Sequence, residues 1–141
     1  MKKIETAIQI NASPEAVWSV LVDFSRMDWN PLFASIEGAL VLNKGLQVIY
    51  RKPRLMVRSR ITAHEPGRVL EWLGSPGLPF LFESRHRFEL TEEDGGTRFR
   101  HAETFTGLLV PLLGGFLAKT PRGFEAMNQA LKLEVEKANA G

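Results

Sequence analysis

The stretch Ser84–Phe105, SRHRFELTEEDGGTRFRHAETF, is two runs of alternating apolar and polar residues joined by EEDGG. Such alternation marks β-strands, whose successive side chains point to opposite faces. Asp-Gly-Gly between two such runs marks a hairpin turn. The register of the hairpin decides which residues share a face, because a slip of one residue moves every side chain to the other side. Pairing Glu92 with Thr97 sets Leu90 opposite Phe99, Phe88 opposite His101, His86 opposite Glu103 and Ser84 opposite Phe105. Phe82, Phe88, Leu90, Phe99 and Phe105 then gather on one face. Glu83, Arg85, Arg87, Glu89, Arg98 and Arg100 take the other, with Glu89 opposite Arg100. A one-residue slip mixes phenylalanine and arginine on both faces and is rejected. The accepted register carries His86, His101 and Glu103 into the apolar side.

Burying such groups costs roughly 1–3 kcal/mol for each one left without a partner. Three readings follow. His86 and Glu103 can form a cross-strand pair with no further role. They can, with His101, line a cavity and orient a polar group on an otherwise apolar ligand. Two histidines and a carboxylate are also suitable metal-ligand types, but no spacing signature supports a metal site and none is expected.

Outward from the hairpin, turn signals at Asn43–Gly45, Arg51–Pro53, Glu65–Gly67 and Ser75–Pro79 divide the chain from about Ile36 onward into further strands. The connections are too short for a crossover helix, so the strands form an antiparallel meander. Residues 2–10 also alternate, with Ile4, Thr6, Ile8 and Ile10 on one face. Ser13 then caps, and Pro14 opens, a short helix carrying Val17, Val20, Leu21 and Phe24. Pro31 ends that segment. Near the C-terminus Thr120 is the expected cap and Pro121 the first residue of a long helix with an apolar stripe of Phe124, Met127, Leu131, Val135 and Ala138. Asn128 lies beside that stripe, within reach of the interior, and ranks below the other site candidates. The expected fold is α+β: a curved antiparallel sheet wrapped around the long C-terminal helix, as one domain over residues 1–141.

Bulk properties narrow the function. The 141 residues are 44% hydrophobic and 24% charged, with a formal net charge of +2. Lysine and arginine are interleaved with glutamate rather than blocked, which gives nucleic-acid binding no support. Cysteine is absent, so thiolate chemistry and cysteine zinc sites are excluded. IETAIQI after the first lysines alternates and is no signal-peptide core. The most apolar run, Gly107–Ala118, is too short to span a bilayer and is broken by Pro111 and a glycine pair. No stable membrane insertion and a cytoplasmic location are the expectation.

INASPEAVWSVLVDFSRMDWNPLF (residues 10–33) resembles the N-terminal signature of the START-like (SRPBCC) superfamily, in particular its bacterial polyketide cyclase/dehydrase-type branch. The matching elements are Ile10 to Trp18 and then Trp29, Asn30 and Pro31. HEPGRVLEW (64–72), HRFEL (86–90), GGTRFRHAETFTG (95–107) and GFEAMNQALK (123–132) extend the resemblance along essentially the whole chain. It implies the helix-grip fold with a deep apolar cavity between sheet and C-terminal helix. The superfamily includes lipid and sterol carriers, hormone receptors and aromatic cyclases, and it has no shared catalytic motif, so the resemblance implies a pocket rather than a reaction.

The expected function is therefore binding of a small hydrophobic molecule, lipid-like or aromatic, without a cofactor. The expected ligand-binding residues are Trp29, Trp72, His86, Phe88, Phe99, His101, Glu103, Phe105, Phe124, Met127 and Leu131. One alternative is a cofactor-independent cyclase or dehydratase using His86, Glu103 and His101 for acid–base chemistry. Another is a protein-interaction module, and a homodimer stays open. The Gly107–Ala118 segment can be a flap over the cavity, a buried connector or an exposed apolar patch. Arg51, Lys52, Arg54, Arg58 and Arg60 read as a solvated basic surface.

Overall fold

The computed structural model describes residues 1–75 and 77–140. Strand β1 (Lys2–Ile10) is followed by helix α1 (Pro14–Leu21). Then come β2 (Phe33–Glu37), β3 (Gly45–Tyr50), β4 (Leu55–Glu65), β5 (Val69–Gly74), β6 (Glu83–Glu93) and β7 (Gly96–Thr106). A single 3-10 turn (Val110–Leu113) leads into helix α2 (Gly114–Ala140). The seven strands form one sheet in the order β1-β7-β6-β5-β4-β3-β2, antiparallel throughout. Irregularities at Phe33/Ser35 and Ile61/Ala63 interrupt the ladders, and bulges of this kind bend strands and increase their twist. The sheet curls into a half-barrel gripping α2, the α+β helix-grip fold expected from sequence.

The hairpin register is the expected one: His86 pairs with Glu103, Phe88 with His101 and Leu90 with Phe99. Its turn has Asp94 at φ 53° and Gly95 at φ 78°, the pair of left-handed residues that a tight hairpin requires. On the outer face Glu71 receives Arg85 at 2.8 Å and Arg87 at 3.0 Å, and Arg100 reaches Glu89 at 2.8 Å. Burial opposes ionisation of Glu71, but Thr62, Arg85 and Arg87 outweigh it and hold its carboxyl below the usual range. On the inner face the core gathers Ile10, Val17, Leu21, Phe33, Val48, Ile61, Leu70, Phe88, Phe99 and the α2 residues Met127, Leu131 and Val135.

Ser13 caps α1 as expected, its hydroxyl accepting from the Ala16 amide at 3.2 Å. Several expectations need correction, among them Phe24, which lies beyond the end of α1 at Leu21. Helix α2 begins at Gly114 rather than Pro121, which lies inside it. Pro121 cannot donate to the carbonyl four residues back, yet the helix continues through it. The Thr120 hydroxyl donates to the Phe116 carbonyl at 3.2 Å, so it bonds within the helix instead of capping it. Ala138 is exposed, beyond the end of the buried stripe. Arg51 is not a solvated cation: its guanidinium donates to the carbonyls of Met27 and Asn30 and fixes the loop before β2. Arg58 and Arg60 are exposed as expected. The turn signal at residues 75–79 includes Pro76, which lies outside the described residues.

Gly107 closes β7 with φ 120°, and a Cβ there would stand 2.3 Å from the Leu81 carbonyl oxygen. This close approach lets the Leu108 and Leu109 amides donate to Phe80 and Leu81 at 3.1 and 2.9 Å, joining the loop before β6 to the segment before α2. Gly107→Ala should therefore lower the unfolding free energy by about 1–3 kcal/mol, measured by denaturant titration. Gly114→Ala, where a Cβ meets nothing within 4 Å, should leave it nearly unchanged.

Candidate functional site

The space between sheet and α2 divides into a filled half and a hollow half. In the filled half Phe33, Trp72, Phe88 and Met127 surround a void of only about 10 Å³, too small for a ligand. The hollow half is a cavity of about 500 Å³. Its walls are the inward side chains of β3, β4, β6 and β7, namely Tyr50, Val57, Ser84, Glu103 and Phe105, together with Leu32 and Phe82. The first turns of α2 roof it through Gly115, Phe116, Lys119, Thr120, Gly123 and Phe124. The hollow arises where the helix presents glycine: no side chain at Gly115 or Gly123 reaches down to the sheet.

Of the residues expected from sequence, Glu103, Phe105 and Phe124 line this cavity. His86 and His101 are fully buried directly behind it. Phe124 stacks on His101 with ring centroids 3.9 Å apart and an interplanar angle of 7°, so the same ring separates cavity from histidine. Trp72, Phe88, Phe99, Met127 and Leu131 are packed in the filled half, away from the cavity lining. Trp72 stacks on His86 at 5.2 Å. Trp29 is half-buried against the core outside the cavity, its indole nitrogen without a partner. The roof is thus one to three turns earlier along α2 than the stripe of Met127 and Leu131 suggested, because the larger side chains fill the space beneath them.

The polar groups form a chain. His86 Nε2 and His101 Nε2 are 2.7 Å apart, and His101 Nδ1 is 3.0 Å from Asn128 Oδ1. The Asn128 amide donates to Thr6 Oγ1 at 2.8 Å, and that hydroxyl donates to the His101 carbonyl at 3.3 Å. The proton positions follow from these partners. Thr6 spends its proton on a carbonyl, so its oxygen accepts from Asn128 Nδ2. Asn128 then turns Oδ1 to His101, which must carry its proton on Nδ1. A neutral His101 accepts through Nε2, and His86 donates to it from its own Nε2.

His86 Nδ1, the far end of the chain, is 3.3 Å from Glu103 Oε2, though not aligned for a well-formed hydrogen bond. With Nε2–H already committed, neutral His86 turns a lone pair toward Glu103. Burial, and then the neighbouring His86, hold His101 well below its ordinary 6.5 despite the bond to Asn128. Burial and the charge of Glu103 push the Tyr50 phenol well above its ordinary 10. With Nε2 atoms facing at hydrogen-bond distance, the imidazoles leave no space for an ion between them.

Asn128 and Tyr50 are the residues that sequence reasoning undervalued or passed over. Asn128 sits one residue from Met127, so helical spacing alone put it at the edge of the stripe. Tyr50 was more accessible: Leu46, Val48 and Tyr50 alternate inward along β3. It is also the chain's one tyrosine.

The family described as "Polyketide cyclase / dehydrase and lipid transport" matches residues 1–136. The chain belongs to this family. No curated protein matches it in sequence. Among solved structures it is similar to Ms6760 from Mycobacterium smegmatis, with 16% identity and a TM-score of 0.77, covering 96% of this chain and 92% of that one. DynU16 of the dynemicin biosynthetic locus is 15% identical with a TM-score of 0.77, covering 98% of this chain and 48% of that one. The di-domain ARO/CYC BexL of the BE-7585A biosynthetic pathway is 13% identical with a TM-score of 0.76, covering 96% of this chain and 47% of that one. At these identities the likenesses establish the shared fold. Among the described residues no helix is long and apolar enough to cross a membrane.

The relay carries a pH signature. His101 stays neutral in the fold, whereas in the unfolded chain it takes a proton near 6.5. The unfolded state then binds more protons, so the stability from this group is present above that value and is lost as pH falls below it, by up to about 1.4 kcal/mol per pH unit. Denaturant midpoints should drop between neutral and mildly acidic pH, and the drop should be smaller in His101→Gln. Equal slopes in both proteins would contradict the assignment.

Proposed function

We propose that this protein binds a small hydrophobic molecule, lipid-like or aromatic and polyketide-like, in the cavity between sheet and α2. The observation that carries this reading is an apolar hollow of about 500 Å³ with a single buried carboxylate, Glu103, in its wall. That volume suits a small organic ligand. Phe82, Phe105 and Phe124 offer flat apolar contact, while Glu103 and Tyr50 supply the few polar groups that orient it. His86, His101 and Asn128 act as positioning residues, since they reach the ligand only through Glu103 and Phe124.

Native mass spectrometry of the purified protein should show one small apolar molecule released by organic solvent. Ser84→Phe, which fills the cavity from β6, should abolish its retention. Retention unchanged in that variant would place the molecule elsewhere and sink the reading.

The 3.3 Å approach of His86 Nδ1 to Glu103 Oε2 favours a second reading, acid–base catalysis in the same cavity. A base at Glu103 could remove a proton from carbon next to a carbonyl, and its conjugate acid could protonate a departing hydroxyl, which leaves as water. Ring closure or dehydration of a polyketide-like chain needs those transfers. Glu103→Gln separates the readings. It preserves shape and one hydrogen-bonding oxygen, so a pure binder keeps its ligand within about threefold, or about 0.7 kcal/mol. A catalyst would keep binding and lose turnover by about a hundredfold or more.

A further inference from the structure

The open end of the cavity carries an apolar rim that ligand binding alone does not explain. Leu78, Phe80, Leu108, Leu112 and Phe116 are all more than half exposed, Leu112 to 79%. They belong to two segments tied together by the Leu108 and Leu109 amides. The rim continues into the mouth, where exposed Leu55 and Phe116 are themselves cavity walls. Within the same 107–118 segment Val110 and Leu117 are buried. The segment is thus anchored on one side and presents leucine on the other.

The charges around this rim are mostly positive. Residues 50–58, 75–82 and 107–124 contain no aspartate or glutamate, while Lys52, Arg54 and Lys119 are exposed there. Lys52 and Lys119 stand in the cavity mouth and make no ion pair among the described residues. Of the carboxylates on the adjoining strands, Glu5 pairs with Arg100 and Lys3, Glu103 is in the cavity wall, and Glu83, cross-strand from Thr106, is half-buried. A second copy of this chain is a poor partner for the rim, since its exposed cations outnumber half-buried Glu83 and a two-fold contact would set them against each other.

We propose that the apolar rim docks the cavity mouth onto an anionic lipid surface. Leu108, Leu112 and Phe80 would enter the headgroup region, and Lys52, Arg54 and Lys119 would meet lipid phosphates around them. Peripheral binding of this kind combines buried apolar area with attraction to anionic lipid, each cation near the surface contributing about fivefold in partition. An apolar ligand could then pass between bilayer and cavity without crossing water. The docking itself does not depend on the ligand's identity.

Co-sedimentation with vesicles tests this, using phosphatidylcholine alone or mixed with phosphatidylglycerol. The protein should pellet with the mixed vesicles, far less with phosphatidylcholine alone, and less again at high salt. Leu108→Glu/Leu112→Glu should abolish pelleting, and Lys52→Glu/Lys119→Glu should reduce it by about twenty-fivefold or more. Both leave the packed core untouched, and unchanged thermal melts would show that they fold. Three outcomes overturn the proposal: no pelleting with either vesicle, pelleting undiminished in both variants, or a wild-type dimer in analytical ultracentrifugation that Leu112→Glu dissociates.

Discussion

The 2.7 Å contact between His86 and His101 is the interaction around which the interior is arranged. Two imidazoles cannot be buried side by side unless each nitrogen has a partner or a defined lone pair, since an unsatisfied buried polar group costs about 1–3 kcal/mol. Thr6 on β1 and Asn128 on α2 meet that requirement for His101, and Glu103 on β7 stands 3.3 Å from His86 Nδ1 without a hydrogen bond. The relay therefore ties the edge strand, the central hairpin and the helix to one another. It also fixes where the helix crosses the sheet: Asn128 reaches His101 only if α2 lies directly over β7.

The position of the cavity follows from that crossing. C-terminal to Asn128, Leu131 and Val135 press α2 onto the sheet, and Met127 closes the space beside Trp72 and Phe88. N-terminal to it the helix presents Phe124 and then glycine at 123 and 115, and the hollow opens beneath them. Phe124 is the boundary between the halves, packed on His101 on one side and lining the cavity on the other. The buried histidine chain thus approaches the cavity at one point, Glu103, beside the polar groups of Tyr50, Ser84 and Thr120. That geometry serves a binder that must orient an apolar molecule, and the same geometry could serve proton transfer.

The hairpin was legible in the sequence to the residue, because period-two alternation and an Asp-Gly turn leave one register that separates phenylalanine from arginine. The inward placement of His86, His101 and Glu103 came with it, as did the pairing of His86 with Glu103. What alternation cannot show is depth. Phe88, Phe99 and Phe105 share a face, yet only Phe105 borders the cavity, since that depends on what α2 places opposite each one. The start of α2 was illegible for a related reason. Proline and threonine at 120–121 resemble a helix beginning, and only the packing of Val110 and Leu117 against Ile4, Phe105 and Phe124 favours helix upstream of them. Asn128 was undervalued because its worth lies in two partners, Thr6 and His101, distant in sequence.

Side-chain nitrogen NMR of the histidines tests the central claim most directly, recorded on the protein alone and with an apolar naphthalene probe added. The account predicts His101 neutral at pH 7 with its proton on Nδ1, His86 protonated on Nε2, and a shift of the His86 Nδ1 resonance when the probe occupies the cavity beside Glu103. His64, stacked on Trp18 far from the relay in sequence and on another strand, should not respond. A protonated His101 at neutral pH, or a probe that binds without moving the His86 signal, would contradict it.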